Sequence, residues 1–343
     1  MNGLELEELR TGQGGFSVGP VSLAIPAGTA TVLLGPSGAG KTTLLRAIAG
    51  FLPLQHGEVL VDGRPVGAAP PEARRFGFVP PNLGLFPQRR VRDNVRYPLG
   101  LRGDPEADLK TDRWLARFGL EPFARAFPHT LSSGQRQRVA MARALAAEPR
   151  VLLWDEPLSA LDVESRDSLI RLLRDLIESE AVPLLLVTHD PTTAFALASR
   201  VVVLEGGRIR ADRTPEELAR GPLDRFLARF LGYENLYTSE ELAGARTHPL
   251  GALLADRGGA GGLAIPPDAI AWQPGPAGPH EARVAALRWT AAGWVVALRH
   301  GPLVLHSRVP GAVPGVRVGD TVTLDVDPRR LRPLENPTGE AAP

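Results

Sequence analysis

The stretch GPSGAGKTT at residues 35–43 places glycines, a lysine and two threonines at a spacing suited to phosphate. Gly35, Gly40, Lys41 and Thr42 supply the fixed positions of a phosphate loop, with Pro36, Ser37, Gly38 and Ala39 between them and Thr43 after. Glycines let successive backbone N–H groups converge on phosphate oxygens, and a helix beginning there adds partial positive charge. Lys41 then reaches the β- and γ-phosphates, and the Thr42 hydroxyl binds Mg²⁺. A second element, VLLWDEP at 151–157, ends an apolar run on Asp155 and Glu156. Asp155 there holds the Mg²⁺ shell, and Glu156 orients or deprotonates the attacking water. Alone, the first would be a glycine turn with a surface lysine and the second a solvated acidic turn. Together they predict hydrolysis of a nucleoside triphosphate.

Such groups must be held at the ends of buried strands. The runs TATVLL before Gly35, VLLW before Asp155, PLLLV before Thr188 and VVVL at 201–204 suit strands covered on both faces. Between them, Leu169, Leu172, Leu173 and Leu176 recur at helical spacing within 163–180. This alternation predicts a parallel sheet covered by helices. Residues 88–150 lack such strands and read as a helical insert. Within it, Ser132 and Gln135 form a capping box that opens a helix ending before Pro149.

Composition narrows the class. The chain of 343 residues suits two domains. Its 39 lysines and arginines nearly balance 38 aspartates and glutamates, so no global field attracts nucleic acid. With no cysteine, disulfides and thiolate chemistry are excluded. The N-terminal MNGLELEELR is acidic and does not read as a secretory signal, and no apolar run approaches the ~20 residues that span a bilayer. After about residue 233 the texture changes. Residues 241–282 are rich in Gly, Pro and Ala and read as loops, and EARVAALRW, GWVVALRH, PLVLHSRV and DTVTLDVD follow as short strands. We therefore expect domains at 1–232 and 233–343. Trp272, Trp289 and Trp294 are expected in the core of the second, with a ligand site lined by them as the alternative.

Further motifs carry a family resemblance. LSSGQRQR at 131–138 resembles the signature of ATP-binding cassette (ABC) ATPases, usually Leu-Ser-Gly-Gly-Gln, and stands upstream of VLLWDEP as in that family. SALD at 159–162 resembles the family's D-loop and VTHD at 187–190 its switch histidine, His189. The resemblance covers residues 1–232. It implies an α/β P-loop NTPase of ABC type with a helical subdomain. It also implies MgATP as the bound species, a γ-phosphate contact from His189, and a head-to-tail dimer. Each ATP would lie between one copy's phosphate loop and the other's Ser132, Ser133, Gly134 and Gln135, with Asp162 nearby. Ser133 stands in place of one of the motif's two usual glycines, which matters only if that backbone needs a positive φ. Pro81 in FGFVPPNLGLFP stands where the family keeps a glutamine that contacts Mg²⁺ and the attacking water. Proline cannot do this, and Asn82 or Gln88 would have to replace it unless water completes the ion's shell. The family stacks adenine on an aromatic residue before the phosphate loop, and Phe16 is the only such candidate, with a place in the core as the alternative.

The β-rich tail resembles the small TOBE (OB-like) accessory domain of bacterial importer ATPases. That implies a peripheral subunit on the cytoplasmic face of the inner membrane, with transmembrane permease subunits and a separate solute-binding protein as partners. The apolar pair Leu85 and Phe86 is expected to face those subunits. Two other classes remain for comparison. A soluble ABC ATPase acting on DNA or ribosomes would need a coiled-coil insert or a second cassette, and a GTPase or small-molecule kinase leaves the signature, D-loop and His189 unexplained.

Overall fold

The computed structural model describes residues 3–158, 161–220, 223–276, 280–290, 293–311 and 315–335, with the side chains of 163 and 164 left aside. The chain forms two compact units, residues 1–217 and 218–343. The division precedes the change in composition because the segment after 217 is tied to the last strand. The Glu335 N–H donates to the Leu223 carbonyl at 3.0 Å, and the Arg332 guanidinium donates to the Arg220 carbonyl at 2.7 Å. Composition carries no sign of such long-range bonds.

The first unit runs β1 (Gly3–Gln13), β2 (Phe16–Pro26), β3 (Ala30–Leu34), α1 (Lys41–Ala49), β4 (His56–Val61), β5 (Arg64–Pro65), β6 (Phe76–Val79), α2 (Val91–Leu101), α3 (Ala107–Arg117) and α4 (Ser133–Ala146). It continues with β7 (Val151–Asp155), α5 (Val163–Glu180), β8 (Leu184–Thr188), α6 (Pro191–Leu197), β9 (Arg200–Glu205) and β10 (Arg208–Arg213). One sheet has the order β10-β9-β3-β8-β7-β6. Its pairings are parallel apart from the β9–β10 hairpin. Every residue of β3, β7 and β8 is buried, which is why their sequences are unbroken apolar runs. The helical insert is α2 to α4, as expected for 88–150, and α5 fills the expected 163–180.

An antiparallel sheet of order β2-β1-β4-β5 lies outside that expectation. Strand β1 buries Leu4, Leu6 and Leu9 against Leu44, Leu45 and Ile48 of α1 in one core. Its period-2 pattern is interrupted by a register shift between Leu6 and Leu9, which hides the strand from a search for alternation.

In the second unit a three-stranded sheet joins Asn235–Tyr237, Gly262–Ile265 and Arg332–Leu334, and a five-stranded sheet contains the four short strands expected from the sequence. Short helices accompany these sheets. Helices cover Ser239–Gly244 and Pro249–Arg257 inside the stretch read as loops. Thr238 and Glu241 cap the first of them reciprocally, and Pro249 sits at the first position of the second, so local helix signals outweighed the glycine content there. Trp272 packs against the core. Trp289 instead is 59% exposed, so it does not belong to that core. Among the described residues no helix is long and apolar enough to cross a membrane.

Candidate functional site

The loop between β3 and α1 is shaped by glycines at positions no other residue fits. Gly40, the residue before α1, has φ +98°, and a Cβ there would stand 2.5 Å from Val18 Cγ2. At Gly35 a Cβ would meet the Leu204 carbonyl oxygen at 2.3 Å. The loop borders a cavity of about 560 Å³ lined by Ser37, Gly38, Gly40, Lys41, Thr42 and Thr43, together with Glu156, Gln13 and Phe16. Pro36 and Ala39 close the turn behind it, the Ala39 N–H donating to the Pro36 carbonyl at 3.2 Å. Phe16 is 38% exposed and borders this cavity, so it is not a core residue.

Lys41 is buried, and its ammonium donates to the Gly35 carbonyl at 2.8 Å and the Pro36 carbonyl at 2.9 Å. Burial pushes its pKa below the ordinary lysine value, while the charges of Glu156 and Asp155 pull the other way. The Thr42 hydroxyl donates to Asp155 Oδ1 at 3.0 Å. Asp155 is wholly buried and its Oδ2 has no hydrogen-bond partner, so burial raises its pKa. A hydroxyl beside a buried carboxylate with a spare oxygen is a donor set that suits Mg²⁺. Thr42 and Asp155 would hold such an ion, which would supply positive charge against bound phosphate.

The burial of Asp155 has a thermodynamic consequence. Because Asp155's folded pKa lies above its unfolded value, the folded state binds the extra proton, and stability falls as pH rises between the two values. Asp155→Asn, which keeps an acceptor for Thr42, should raise metal-free stability at neutral pH while abolishing nucleotide turnover. Thermal melts in chelator check this. The gain should shrink toward acid pH, where the wild-type carboxyl is protonated in both states.

Glu156 follows β7 directly, with φ +51°, a backbone conformation unusual for glutamate. Its N–H donates to the Val187 carbonyl on β8 at 3.0 Å, which holds that geometry. The side chain thereby meets the residue just past β8: Glu156 Oε1 lies 2.7 Å from His189 Nδ1. Adjacent parallel strands thus deliver a carboxylate and an imidazole to one end of the sheet, beside the phosphate loop. The left-handed backbone at Glu156 carries no signal in the residue type.

Ser132 caps α4. Its hydroxyl accepts the Gln135 N–H at 3.2 Å, and Gln135 Oε1 accepts the Ser132 N–H at 2.9 Å. Ser133 is the first residue of α4 and has no positive φ, so serine fits where the family keeps glycine. Asp162 caps α5, accepting the Ser165 N–H at 2.9 Å. Ser159 and Ala160 lie outside the described residues. None of Ser132, Ser133, Gly134, Gln135 and Asp162 lines the cavity at Lys41.

The loop after β6 differs from expectation. Pro80 and Leu83 close a turn, with the Leu83 N–H donating to the Pro80 carbonyl at 2.9 Å. Neither Pro81, Asn82 nor Gln88 lines the phosphate-loop cavity, and Gln88 faces a different one. Phe86 is half-buried rather than exposed: its ring packs at a tilt against Tyr97, with centroids 4.6 Å apart, and lies under the guanidinium of Arg143 at 5.4 Å.

Comparison with known proteins agrees with this geometry. A family profile described as ABC transporter matches residues 18–159. The Fe(3+) ions import ATP-binding protein of Streptomyces avermitilis is 43% identical over 243 residues, covering 69% of this chain and 70% of that protein. The sulfate/thiosulfate import ATP-binding protein of Nocardia farcinica is 45% identical, covering 62% and 65%. The spermidine/putrescine import ATP-binding protein of Nitrosomonas europaea is 42% identical, covering 68% and 65%. Among solved structures, a dimeric ATP-binding cassette in a post-hydrolysis state with ADP and Pi superposes with TM-score 0.56 at 30% identity, over 62% of this chain and 98% of that one. An ATP-binding subunit of an ABC transporter gives TM-score 0.57 at 26% identity, over 64% and 92%. The chain belongs to the ABC transporter family, as an ATP-binding cassette that hydrolyses ATP.

Proposed function

We propose that this chain is the energy-coupling ATPase of a solute importer, working as a head-to-tail pair of identical copies on the cytoplasmic face of the inner membrane. The observation that carries this reading is that the signature residues do not line the cavity at the phosphate loop. That cavity is bordered by the phosphate loop, Thr42 and Glu156, with Asp155 buried behind Thr42. The capped N-terminus of α4 offers Ser132, Ser133 and Gly134 elsewhere on the same unit, so a second copy completes the site. In the closed pair Gly35–Thr43 cradle the phosphates, and Thr42 and Asp155 hold Mg²⁺. Glu156 is the base, His189 fixes it and touches the γ-phosphate, Ser132 to Gln135 cap that phosphate from the other copy, and Asp162 supports the joint. Phe16 offers a face for adenine.

Permease subunits supply the transmembrane path. A cavity of about 430 Å³ in the helical insert, lined by Gln88, Arg89, Asp93, Arg96, Tyr97 and Leu101 among others, is where we place their contact. The 233–343 region acts as a TOBE-like accessory domain. The three relatives are named for chemically different cargoes at nearly equal identity. Cargo choice therefore belongs to the permease and to a separate solute-binding protein. The test is ATP hydrolysis by the chain with and without its membrane subunits in vesicles. Stimulation and co-purification support the reading. An ATPase indifferent to membranes but stimulated by DNA or ribosomes contradicts it.

With Pro81 in place of the glutamine, water completes the Mg²⁺ shell. Pro81→Gln should then raise permease-stimulated hydrolysis, and Asn82→Ala should leave it nearly unchanged. A collapse in Asn82→Ala would show that Asn82 has taken the glutamine's place.

A further inference from the structure

The loop from Pro80 to Arg90 leaves β6 beside the catalytic strand, since Val79 pairs with Trp154 one residue before Asp155. It then makes a turn in which two successive residues, Leu83 (φ +62°) and Gly84 (φ +56°), are left-handed. For leucine this backbone is disfavoured and must be held by its surroundings. The holder is one side chain of the signature helix. Arg143 of α4 donates from Nη2 to the Leu83 carbonyl and from Nη1 to the Gly84 carbonyl, both at 2.8 Å. Its guanidinium also lies 5.4 Å from the centre of the Phe86 ring. The fork of an arginine matches two adjacent carbonyls in a way that a lysine ammonium cannot. Further along, the buried Asn94 of α2 accepts the Phe86 N–H at 2.9 Å and donates to the Phe86 and Arg89 carbonyls at 3.1 and 3.0 Å.

Asn94 therefore fixes the far half of the loop to α2, and Arg143 fixes the near half to the helix whose first turn carries Ser132 to Gln135. In this chain the family's glutamine, which would tie the loop to the nucleotide, is a proline. We propose that Arg143 is the positioning residue that replaces that tie, making the near half of the loop move as one body with the signature helix. A displacement of the loop by the membrane subunit then shifts the signature end of α4 toward or away from the other copy's phosphate. The link runs through backbone carbonyls and does not require a side chain at Pro81. It rests on the permease reading only for the source of the displacement.

The test uses the full chain with Arg143→Gln and Arg143→Lys, and has two separate readouts. The first needs no permease. In Arg143→Gln, hydrogen exchange at the Leu83 amide should quicken about tenfold or more, the scale for losing charge-assisted hydrogen bonds. Exchange at Phe86, held by Asn94, and along α4 should change little, with the melting temperature nearly kept. The second is the ratio of permease-stimulated to basal hydrolysis in vesicles. It should drop roughly tenfold in Arg143→Gln. KM for ATP and the basal rate should stay within about twofold, and Arg143→Lys should restore part of the ratio. Unchanged exchange at Leu83 overturns the latch. Quickened exchange with an unchanged ratio reduces Arg143 to a structural bond and overturns its role in coupling. A wild-type chain that its permease does not stimulate removes the permease reading, and the exchange result still decides whether the latch exists.

Discussion

Lys41→Ala abolishes ATP turnover, lowering it by about 10³-fold or more, while leaving the fold intact. Among the described residues, Lys41 is the only lysine or arginine side chain lining the cavity at the phosphate loop. It is held there with little water around it, where one preorganised charge has large leverage on phosphate oxygens. Loss of activity cannot be put down to loss of fold. Burial lowers the Lys41 pKa, so its charged form is a burden to the folded state at neutral pH, and that burden is relieved only as pH rises through the folded pKa. Removing the ammonium should leave stability within roughly 1 kcal/mol of wild type. Steady-state hydrolysis together with a thermal melt checks both halves. Turnover near the wild-type rate would remove Lys41 from the site.

The second large effect is expected from Glu156→Gln. Glutamine keeps the length of the side chain and can still accept or donate toward His189 Nδ1, now 2.7 Å from Glu156 Oε1. It cannot take a proton from water. Turnover should fall by roughly 10²- to 10⁴-fold, the usual weight of a general base. ATP binding should persist, so that two copies stay closed on unhydrolysed ATP and elute as a dimer. A wild-type rate in this variant would show that another group is the base. Gel filtration with ATP and with ADP distinguishes a trapped dimer from a constitutive one.

The legibility of these residues in the sequence follows their physical cause. The phosphate loop, Asp155 and Glu156 are legible because their chemistry requires particular residue types at particular distances from buried strands, and those strands are unbroken apolar runs. Ser132 and Gln135 are legible because a capping box is local. Three features are not legible. The sheet of β1, β2, β4 and β5 breaks its alternation at a bulge, so its period is lost. The left-handed backbone at Glu156 and Leu83 leaves no mark in the residue type, because glycine is not used there. Arg143 and Phe86 meet across 57 positions of sequence, counted as 143 minus 86, and Phe86 looked exposed because the guanidinium that covers it comes from another helix.

The central claim, that each ATP is closed by the second copy's signature helix, is tested most directly by mixing two inactive chains. Both carry Glu156→Gln to trap ATP. One also carries Lys41→Ala, and the other carries Ser132→Asp, which keeps an N-cap residue but sets a negative charge where the γ-phosphate would dock. The measurement is labelled ATP retained by protein through rapid desalting. Neither chain alone should retain it. The mixture should, because a mixed pair joins an intact Lys41 loop from the Ser132→Asp chain to an intact signature from the Lys41→Ala chain. Retention by the Ser132→Asp chain alone, at the level of the Glu156→Gln parent, would mean that each copy holds its ATP unaided and would contradict the account.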